Sequence, residues 1–391
     1  MKKTILKVTG LIVLALGIFT SCTTDEEDSS SSSFVLDPNN FQGTISDGEV
    51  ILNAGTVYKL TGKIQVNEGA TLIIPAGTII EGVGGTASYI AVTQGGKINV
   101  NGTSSNPVIF TSGLATKAPG DWGGLVICGK APINRVDGGT GTAQSEVADL
   151  TYGGTIANDN SGSIRYLRIE YAGAAFNSEK EFNGVSLFGV GSGTTFEYVE
   201  ALNGSDDGFE FFGGTVNTSN LVSIGNEDDQ YDWTEGWNGT NSNWYGKVAN
   251  GKGNRGIEAD NFELGFLNMP IANPTITNMT LVGPGSSAEV TVYPENQAIK
   301  LRRGTKGIFS NVYLEAWKTG FDIEHDETIS YVGSSLMATN VNFNDVPTQT
   351  KGKKTDGTSE DVSTAVTVGT GMGAGNGSGA PGWSSGWAIG F

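Results

Sequence analysis

The chain has 391 residues, 59 of them glycine, and its 41 acidic side chains exceed its 23 Lys and Arg side chains to give a formal net charge of −18 at pH 7. This charge argues against a nucleic-acid partner and against electrostatic attraction to anionic lipid, and it favours bound cations or high solubility. The chain has two cysteines, Cys22 and Cys128. If Cys22 carries a covalent modification, no second cysteine is left to form a disulfide with Cys128.

The first residues have the pattern of an export signal. Lys2 and Lys3 precede an apolar run over residues 5–19, and small residues follow. The pattern predicts a signal peptide over residues 1–21, because the run is too short and too interrupted for a membrane-spanning helix. Its end resembles a bacterial lipoprotein signal, although Phe19 stands where Leu is usual. The resemblance implies cleavage before Cys22 and a lipid anchor on that cysteine; a plain secretory cut is the alternative.

An acidic and serine-rich segment follows. Residues 25–28 are DEED, and five serines come next. Such a composition cannot bury apolar surface, so we predict a disordered tether over residues 22–40. The run of acidic residues after Cys22 resembles the surface-export signal of Bacteroidota lipoproteins, which implies an outer-membrane protein facing the cell exterior. A solvated spacer is the alternative.

Residues 41–345 show strand patterns and a long repeat. Short alternating runs are bounded by Gly, Asn, Asp and Pro, which is typical of strands and turns. Residues 206–211 (DDGFEF) are echoed 22 residues later by residues 228–233 (DDQYDW). A period of this length predicts a solenoid in which like residues stack on like.

The alternation within these repeats predicts which side chains point inward. Successive strand residues point to opposite faces, and a slip of one residue would bury the charges. The predicted inward row is Val185/Leu187, Phe209/Phe211, Tyr231/Trp233, Ile257/Ala259, Ile299/Leu301 and Phe321/Ile323. The predicted outward row is Ser186, Glu210, Asp232, Glu258, Lys300 and Asp322. We therefore predict an all-β fold, a single-stranded right-handed parallel β-helix with rungs of about 22 residues.

Several motifs make the chain resemble the pectin-lyase-like superfamily, and more closely a mostly uncharacterised family of Bacteroidota surface lipoproteins. They are residues 75–78 (PAGT), 120–124 (GDWGG), 152–154 (YGG), 159–162 (DNSG), 189–194 (GVGSGT) and 206–214 (DDGFEFFGG). The resemblance covers roughly residues 70–240. It implies the β-helix but no particular activity.

The echoed acids form a candidate cation site. Stacked rungs bring like carboxylates close together, and Ca²⁺ takes six to eight oxygen ligands. The candidate ligands are Asp206, Asp207, Glu210, Asp228, Asp229 and Asp232. The sequence has no His or Cys cluster, which argues against zinc or copper. A solvated acidic edge is the alternative.

The outward row also offers candidate catalytic residues. They are Glu210, Asp232, Glu258, Lys300 and Asp322. Paired carboxylates could hydrolyse a glycoside, and Ca²⁺ with a basic residue could support a polysaccharide lyase. A ladder of ion pairs, Lys300 with Asp322 and Arg302 with Glu324, explains the same residues without catalysis. We therefore predict a non-catalytic binding or scaffold protein, with a lyase or hydrolase as the alternative.

Aromatic residues suggest two further features. Trp237, Trp244 and Tyr245 fall in a Gly- and Asn-rich stretch, predicted as a loop over residues 236–254, where exposed rings could stack on a glycan. Packing onto the solenoid is the alternative. Residues 346–391 are rich in Gly and Ser but carry three aromatics in the last ten residues. We predict that they cap the open end of the solenoid, with a glycan-binding patch as the alternative.

Overall fold

A computed structural model describes residues 32–177, 180–249 and 251–391, so the signal peptide and Cys22 lie outside the described residues. The strands, numbered in chain order, are β1 Phe41–Ile45, β2 Glu49–Ile51, β3 Val57–Val66, β4 Thr71–Pro75, β5 Ile79–Gly82, β6 Ile90–Val92, β7 Lys97–Asn101, β8 Val108–Ser112, β9 Leu125–Cys128, β10 Ala143–Gln144, β11 Thr151–Tyr152, β12 Gly162–Glu170, β13 Val185–Phe188, β14 Thr195–Leu202, β15 Phe209–Phe212, β16 Thr218–Ile224, β17 Tyr231–Thr234, β18 Thr240–Lys247, β19 Ile257–Asp260, β20 Thr275–Val282, β21 Gln297–Arg302, β22 Gly307–Glu315, β23 Thr319–Glu324, β24 Leu336–Asn344, β25 Thr348–Lys353, β26 Ser359–Glu360 and β27 Val366–Val368. The helices are α1 Asp326–Ile329 and the 3-10 turns Ser363–Ala365 and Gly382–Ser384. Within these ranges, no helix has the length and apolar character needed to cross a membrane.

The strands stack in parallel, which confirms the predicted β-helix. A single sheet network joins 25 strands, and its pairings are parallel except between β25 and β26. The β-helix extends past residue 345, because β25 stacks on β23 and β27 stacks on β24. The predicted boundary at 345 therefore came too early.

One side of the solenoid, which we call the front sheet, contains β6, β9, β13, β15, β17, β19, β21, β23 and β25. Its register pairs Phe209 with Tyr231, Tyr231 with Ile257 and Ile299 with Phe321, as the alternation predicted. Residues of the predicted inward row are at most 1% exposed. Rung length in the front sheet varies, however, from 22 residues between Phe209 and Tyr231 to 60 between Leu125 and Val185. The predicted period holds only where no loop is inserted.

The other two sides come from long strands that bend in the middle. In β12, β14, β16, β18, β20, β22 and β24 one residue has a left-handed backbone, with φ from 52° to 61°. In the last five of these strands it is asparagine, which tolerates that conformation better than most residues. Their amides form a ladder: Asn278 donates to Asn243 at 3.0 Å, and Asn311 donates to Asn278 at 2.8 Å. The bend sets the corner of these rungs, and the ladder links the corners of β18, β20 and β22.

Aromatic rings fill the middle of the solenoid. Trp237 stacks on Phe211 with ring centroids 4.0 Å apart, and Trp244 stacks on Tyr231 at 4.4 Å. Both tryptophans are fully buried, and burial of such a side chain contributes roughly 2–3 kcal/mol. Tyr245 is also fully buried, on one flank, and donates its hydroxyl to the Ser378 carbonyl at 2.7 Å.

These positions contradict the predicted glycan stacking by Trp237, Trp244 and Tyr245. None of the three rings has an exposed face. The predicted loop over residues 236–254 is interrupted by β18, which places Trp244 inward. The alternative, packing within the solenoid, is what the structure shows.

The C-terminal strap, residues 369–391, runs along the outside of the solenoid. Trp387 lies edge-on to Tyr166 and Tyr198, both at 6.0 Å, and the Ile389 amide donates to buried Glu200 at 3.0 Å. The prediction that the last ten residues cap the open end is therefore wrong. The C-terminal aromatics instead cover an apolar surface on the flank of the solenoid, which Tyr166 and Tyr198 form.

At the other end, part of the predicted tether is packed. Phe34 lies edge-on to Phe41 at 6.4 Å, and Leu36 also packs against the solenoid core. The tether predicted over residues 22–40 therefore ends before Phe34, and its first ten residues lie outside the described range.

Two insertions cover the early rungs of the front sheet. The first follows β9, and its residues Ile133, Val147 and Tyr152 pack on Phe188 and Phe212; the second follows β12 and adds Phe182 to the same cluster. Cys128 is buried in the same cluster, and this burial raises the pKa of its thiol. The insertions form a wall beside the later rungs, where the polar residues begin.

Candidate functional site: an acidic groove

The outward row of the front sheet is polar, as predicted. Ser186, Glu210, Asp232, Glu258, Lys300, Asp322 and Lys351 are neighbours in successive strands. Parallel strands lie roughly 4.8 Å apart, so each charge acts directly on the next. The outward row is less exposed to solvent than we expected. Ser186 is only 1% exposed, and Asp322 has no exposed surface.

The structure brings the six predicted metal ligands together. Three groups of carboxylates each have oxygens within 4.8 Å of one another. They are Asp206–Asp207–Asp228, Asp207–Glu210–Asp232 and Asp229–Asp232–Glu258. Asp207 and Asp232 each belong to two groups, so the site is a continuous ladder across the rungs of β15, β17 and β19.

Turn aspartates fix the ladder in place. Asp207 precedes β15 and accepts a hydrogen bond from the Asp229 amide at 2.8 Å, and Asp229 accepts one from the Arg255 amide at 2.6 Å. Each carboxylate therefore holds the turn of the following rung. Glycine is required at position 208, next to Asp207, because a Cβ atom there would lie 2.2 Å from the Ser223 hydroxyl. The Asp-Asp-Gly motif is thus explained by backbone packing as well as by charge.

We call Asp206, Asp207, Glu210, Asp228 and Asp232 the acidic cluster. In the described parts of the chain, no Lys or Arg nitrogen lies within 4.0 Å of these five carboxylates. Their side-chain partners are neutral amides: Asn183 donates to Glu210 at 2.7 Å, and Asn254 donates to Asp228. Two neighbouring acids outside the cluster do have a basic partner: Asp229 forms an ion pair with Arg255 at 3.3 Å, and Glu258 forms one with the same arginine at 2.7 Å.

Burial and the neighbouring charges raise the pKa values of four of these carboxyl groups, those of Asp206, Asp207, Glu210 and Asp232. Burial, together with the Asp228 charge, raises the pKa of Asp206 to about 8. Burial and neighbouring carboxylates also raise the pKa values of Asp207, Glu210 and Asp232 well above their usual range. The ladder therefore takes up protons unless a cation compensates its charge.

The cluster forms the floor of an open groove. A cavity of about 540 Å³ lies over Asp206, Asp207 and Asp228, and one of about 210 Å³ continues over Glu258 and Arg302. The two cavities share Glu146, Glu210 and Asp232, and we call them together the acidic groove.

Sequence reasoning missed the residues that the insertions contribute. Glu146 and Glu181 line the groove from the two insertions. Burial raises the pKa of Glu146 to about 7. Neither residue lies in the repeat pattern, so no periodicity in the sequence could have placed it there.

The ion pairs of the later rungs differ from the predicted ladder. Lys300 lies 3.6 Å from Glu324, while Arg302 reaches back to Asp260 at 2.8 Å and to Glu258. The predicted pairs of Lys300 with Asp322 and Arg302 with Glu324 are therefore wrong. Asp322 instead accepts from Lys351 at 2.9 Å, because β25 adds a rung that the sequence analysis placed outside the helix.

A family model described as "Pectate-lyase like beta helix domain" matches residues 43–388. The chain belongs to this family. Neither the curated proteins nor the solved structures gave a match. The matched range of this pectate-lyase-like β-helix domain begins within β1 and ends in the C-terminal strap, so it contains the whole acidic groove.

Within this pectate-lyase-like domain, the five candidate catalytic residues have different surroundings. Glu210 and Asp232 line both cavities of the groove. Glu258 is held by Arg255 and Arg302. Lys300 is only 9% exposed, and Asp322 is fully buried and therefore cannot touch a substrate. The prediction of Asp322 as a catalytic residue is thus corrected, and Glu210 and Asp232 remain the best-placed pair.

Proposed function

We propose that the acidic groove binds Ca²⁺ and that the protein is a non-catalytic binding or scaffold protein. The observation that supports this most is the acidic cluster itself, with five carboxylates on stacked rungs and no Lys or Arg within 4.0 Å in the described chain. Like charges this close repel strongly in a partly buried site. A divalent cation offsets that repulsion where no side chain does.

The group Asp207–Glu210–Asp232 is the proposed centre of the site. Three carboxylates supply up to six oxygens, and Ca²⁺ accepts both mono- and bidentate carboxylates together with water. Asp206 and Asp228 lie at the rim, where they add charge. Asp229 is withdrawn from the predicted ligand set, because Arg255 holds both of its oxygens through the backbone amide and the guanidinium.

An ion on the floor of an open groove keeps positions free for a ligand. Carboxylates of an acidic glycan, or of another surface protein, fit such positions because hard cations prefer oxygen donors. Anchoring at Cys22 and exposure on the outer membrane of a Bacteroidota-type cell belong to the same proposal. They rest on the sequence patterns described above, which lie outside the described residues.

The calcium proposal is tested by thermal unfolding. Ca²⁺ at about 100 times its Kd stabilises a protein by about 2.7 kcal/mol, so we expect Tm to rise with Ca²⁺ and to fall with a chelator. Asp232→Asn should remove most of this calcium-dependent change. Glu49→Gln, which removes an exposed carboxylate on an early rung, should leave it intact. A Tm that does not respond to Ca²⁺ or chelator would overturn the proposal.

The alternative is a polysaccharide lyase or glycoside hydrolase, which membership of a pectate-lyase-like family favours. It would rely on Glu210 and Asp232, the two candidates that line the groove. A screen of acidic and neutral glycans for new reducing ends or unsaturated uronates separates the two functions. Cleavage that is lost in Glu210→Gln would establish the alternative; no cleavage with intact calcium binding supports the non-catalytic proposal.

A further inference from the structure

A cavity of about 590 Å³ lies beyond the carboxyl ends of the front-sheet strands. The turns after β15 and β17 line it with Gly214 and Gly236, and the loop between β19 and β20 lines it with Leu267 and residues 269–271. We call it the Lys306 pocket, because Lys306 is its one charged lining residue in the parts of the chain that the structure describes. It shares no lining residue with the acidic groove, so it is a separate site.

Hydrogen bonds between neighbouring rungs hold the walls of the Lys306 pocket in place. The Lys306 amide donates to the Ala272 carbonyl at 2.8 Å, and the Asn238 side chain donates to the Ile271 carbonyl at 2.9 Å. Both bonds join the loop between β19 and β20 to the turn of another rung. The pocket is therefore formed before a ligand enters, which lowers the cost of binding.

The wall that the loop contributes is apolar and exposed to solvent. Leu267 and Met269 are 59% and 52% exposed, and they line the cavity together with Pro270 and Ile271. Single apolar side chains are common on a protein surface and need no explanation. Several of them on one concave face are instead typical of a site that takes up an apolar group.

Lys306 adds a positive charge to this apolar surface. No carboxylate oxygen of the described residues lies within 4.0 Å of its ammonium group, although acidic side chains outnumber Lys and Arg by 41 to 23. The ammonium nitrogen lies 4.5 Å from the centroid of the Tyr331 ring, a cation–π contact that holds it in place without a counter-charge. Burial, with the Glu327 charge, raises the pKa of Tyr331, but Glu327 itself does not line the pocket.

We propose that the Lys306 pocket binds a small amphiphile that carries one carboxylate on an apolar body. The carboxylate pairs with the Lys306 ammonium, and the body packs on Leu267, Met269 and Ile271. The cavity volume falls within the roughly 300–1,000 Å³ of small-ligand sites, so it admits an aromatic ring or a short hydrocarbon chain. A small inorganic anion would leave the apolar wall in contact with water, and a neutral hydrocarbon would leave the ammonium group without a counter-charge.

A titration followed by the NMR signals of the ligand tests this with phenylpropanoate and hexanoate, each compared with the neutral alcohol of the same skeleton. We expect saturable binding of at least one carboxylate, and the two decide between a ring and a chain as the body. The matching alcohol should bind about tenfold more weakly, because it lacks the hydrogen bond between two charged groups. Acetate, which has no apolar body, should show no saturable binding. Equal binding of carboxylate and alcohol, or no binding of either carboxylate, would overturn the inference.

Two variants separate the charge from the apolar wall. Lys306→Met keeps the side-chain length, so it should weaken carboxylate binding about tenfold and leave alcohol binding unchanged. Lys97→Met, at an exposed lysine of β7, is its control. Leu267→Ser should weaken both ligands severalfold, whereas Leu114→Ser, at another exposed leucine, should weaken neither. Carboxylate binding that is unchanged in Lys306→Met would contradict the proposal.

The inference is independent of the proposed calcium site. Binding of the carboxylate should be the same with Ca²⁺ and with a chelator, and the same in Asp232→Asn as in the unchanged chain. A carboxylate that binds only when Ca²⁺ is present, or that is lost in Asp232→Asn, would place the ligand in the acidic groove and overturn the assignment to the Lys306 pocket.

Discussion

At the scale of single residues, the corner asparagines show how one side chain shapes a rung. Asn278 has φ 61°, donates to Asn243 and accepts from Asn311. The left-handed conformation costs a residue with a Cβ roughly 1–2 kcal/mol. Asparagine lowers this cost and also links neighbouring rungs. The sequence contains this column, but nothing in the strand alternation distinguishes it from solvent-exposed asparagines.

We expect Asn278→Ala to destabilise the protein by about 2–3 kcal/mol, because both the backbone preference and the ladder hydrogen bonds are lost. Asn278→Gly keeps the left-handed preference and loses only the ladder, so its cost should be smaller, at about 1–2 kcal/mol. Urea unfolding measures both. A larger loss for Gly than for Ala would contradict the role assigned to the bend.

The raised pKa values of Asp206, Asp207, Glu210 and Asp232 predict an unusual pH dependence. The pKa of Asp206 is about 8 in the folded protein and about 3.9 when unfolded. Between these values the folded state binds more protons than the unfolded state, so the free energy of unfolding decreases as pH rises. Without calcium, Tm should therefore fall between about pH 5 and about pH 8.

Calcium should reduce that fall, because a bound cation favours the ionised carboxylates and its affinity increases with pH. Melting curves at several pH values, with and without Ca²⁺, measure both effects. Glu49→Gln, which removes an exposed carboxylate on an early rung, serves as the control and should change neither effect. A calcium-free Tm that rises steadily over this pH interval would contradict the assigned shifts.

At the scale of elements, the C-terminal strap replaces the predicted end cap. The aromatic residues of this segment indicated an ordered structure, because a flexible tail rarely carries so many. They could not locate the strap, since the flank that Trp387 covers is built from Tyr166 and Tyr198, about 200 residues earlier. A long-range contact of this kind leaves no local pattern.

Removing residues 379–391 should lower Tm and expose the flank. The truncation uncovers Tyr166, Tyr198 and part of Tyr245, and it leaves Glu200 without the Ile389 amide. Burial of Trp387 alone accounts for roughly 2–3 kcal/mol. Scanning calorimetry and binding of a hydrophobic dye measure the result, with Ser385→Ala, an exposed position in the strap, as the control. An unchanged Tm would show that the strap does not stabilise the solenoid.

At the scale of the whole molecule, the register of residues 183–324 could be predicted because charges and aromatics alternate cleanly on stacked strands. The insertions could not, since residues 129–161 carry no repeat. Their Glu146 reaches the groove from another rung, and their apolar residues bury Phe188 and Phe212. For the same reason, the sequence indicated which residues point outward but not how far each is exposed.

Charge is also distributed unevenly along the front sheet. The middle rungs contain the acidic cluster, whereas Lys300, Lys351 and Lys353 lie on the later rungs. The late lysines pair with Asp322 and Glu324, while the five carboxylates of the acidic cluster have no Lys or Arg partner in the described chain. This difference is what distinguishes a proposed ion site from an ordinary surface ladder of ion pairs.

A crystal structure determined in the presence of Ca²⁺, with the ion located by anomalous scattering, tests the central claim most directly. We expect an ion in the acidic groove with oxygens of Asp207, Glu210 and Asp232 at about 2.3–2.6 Å. Crystals of Asp232→Asn, grown in the same way, should lose it. A groove with no ion at saturating Ca²⁺ and with these carboxylates accessible would contradict the account.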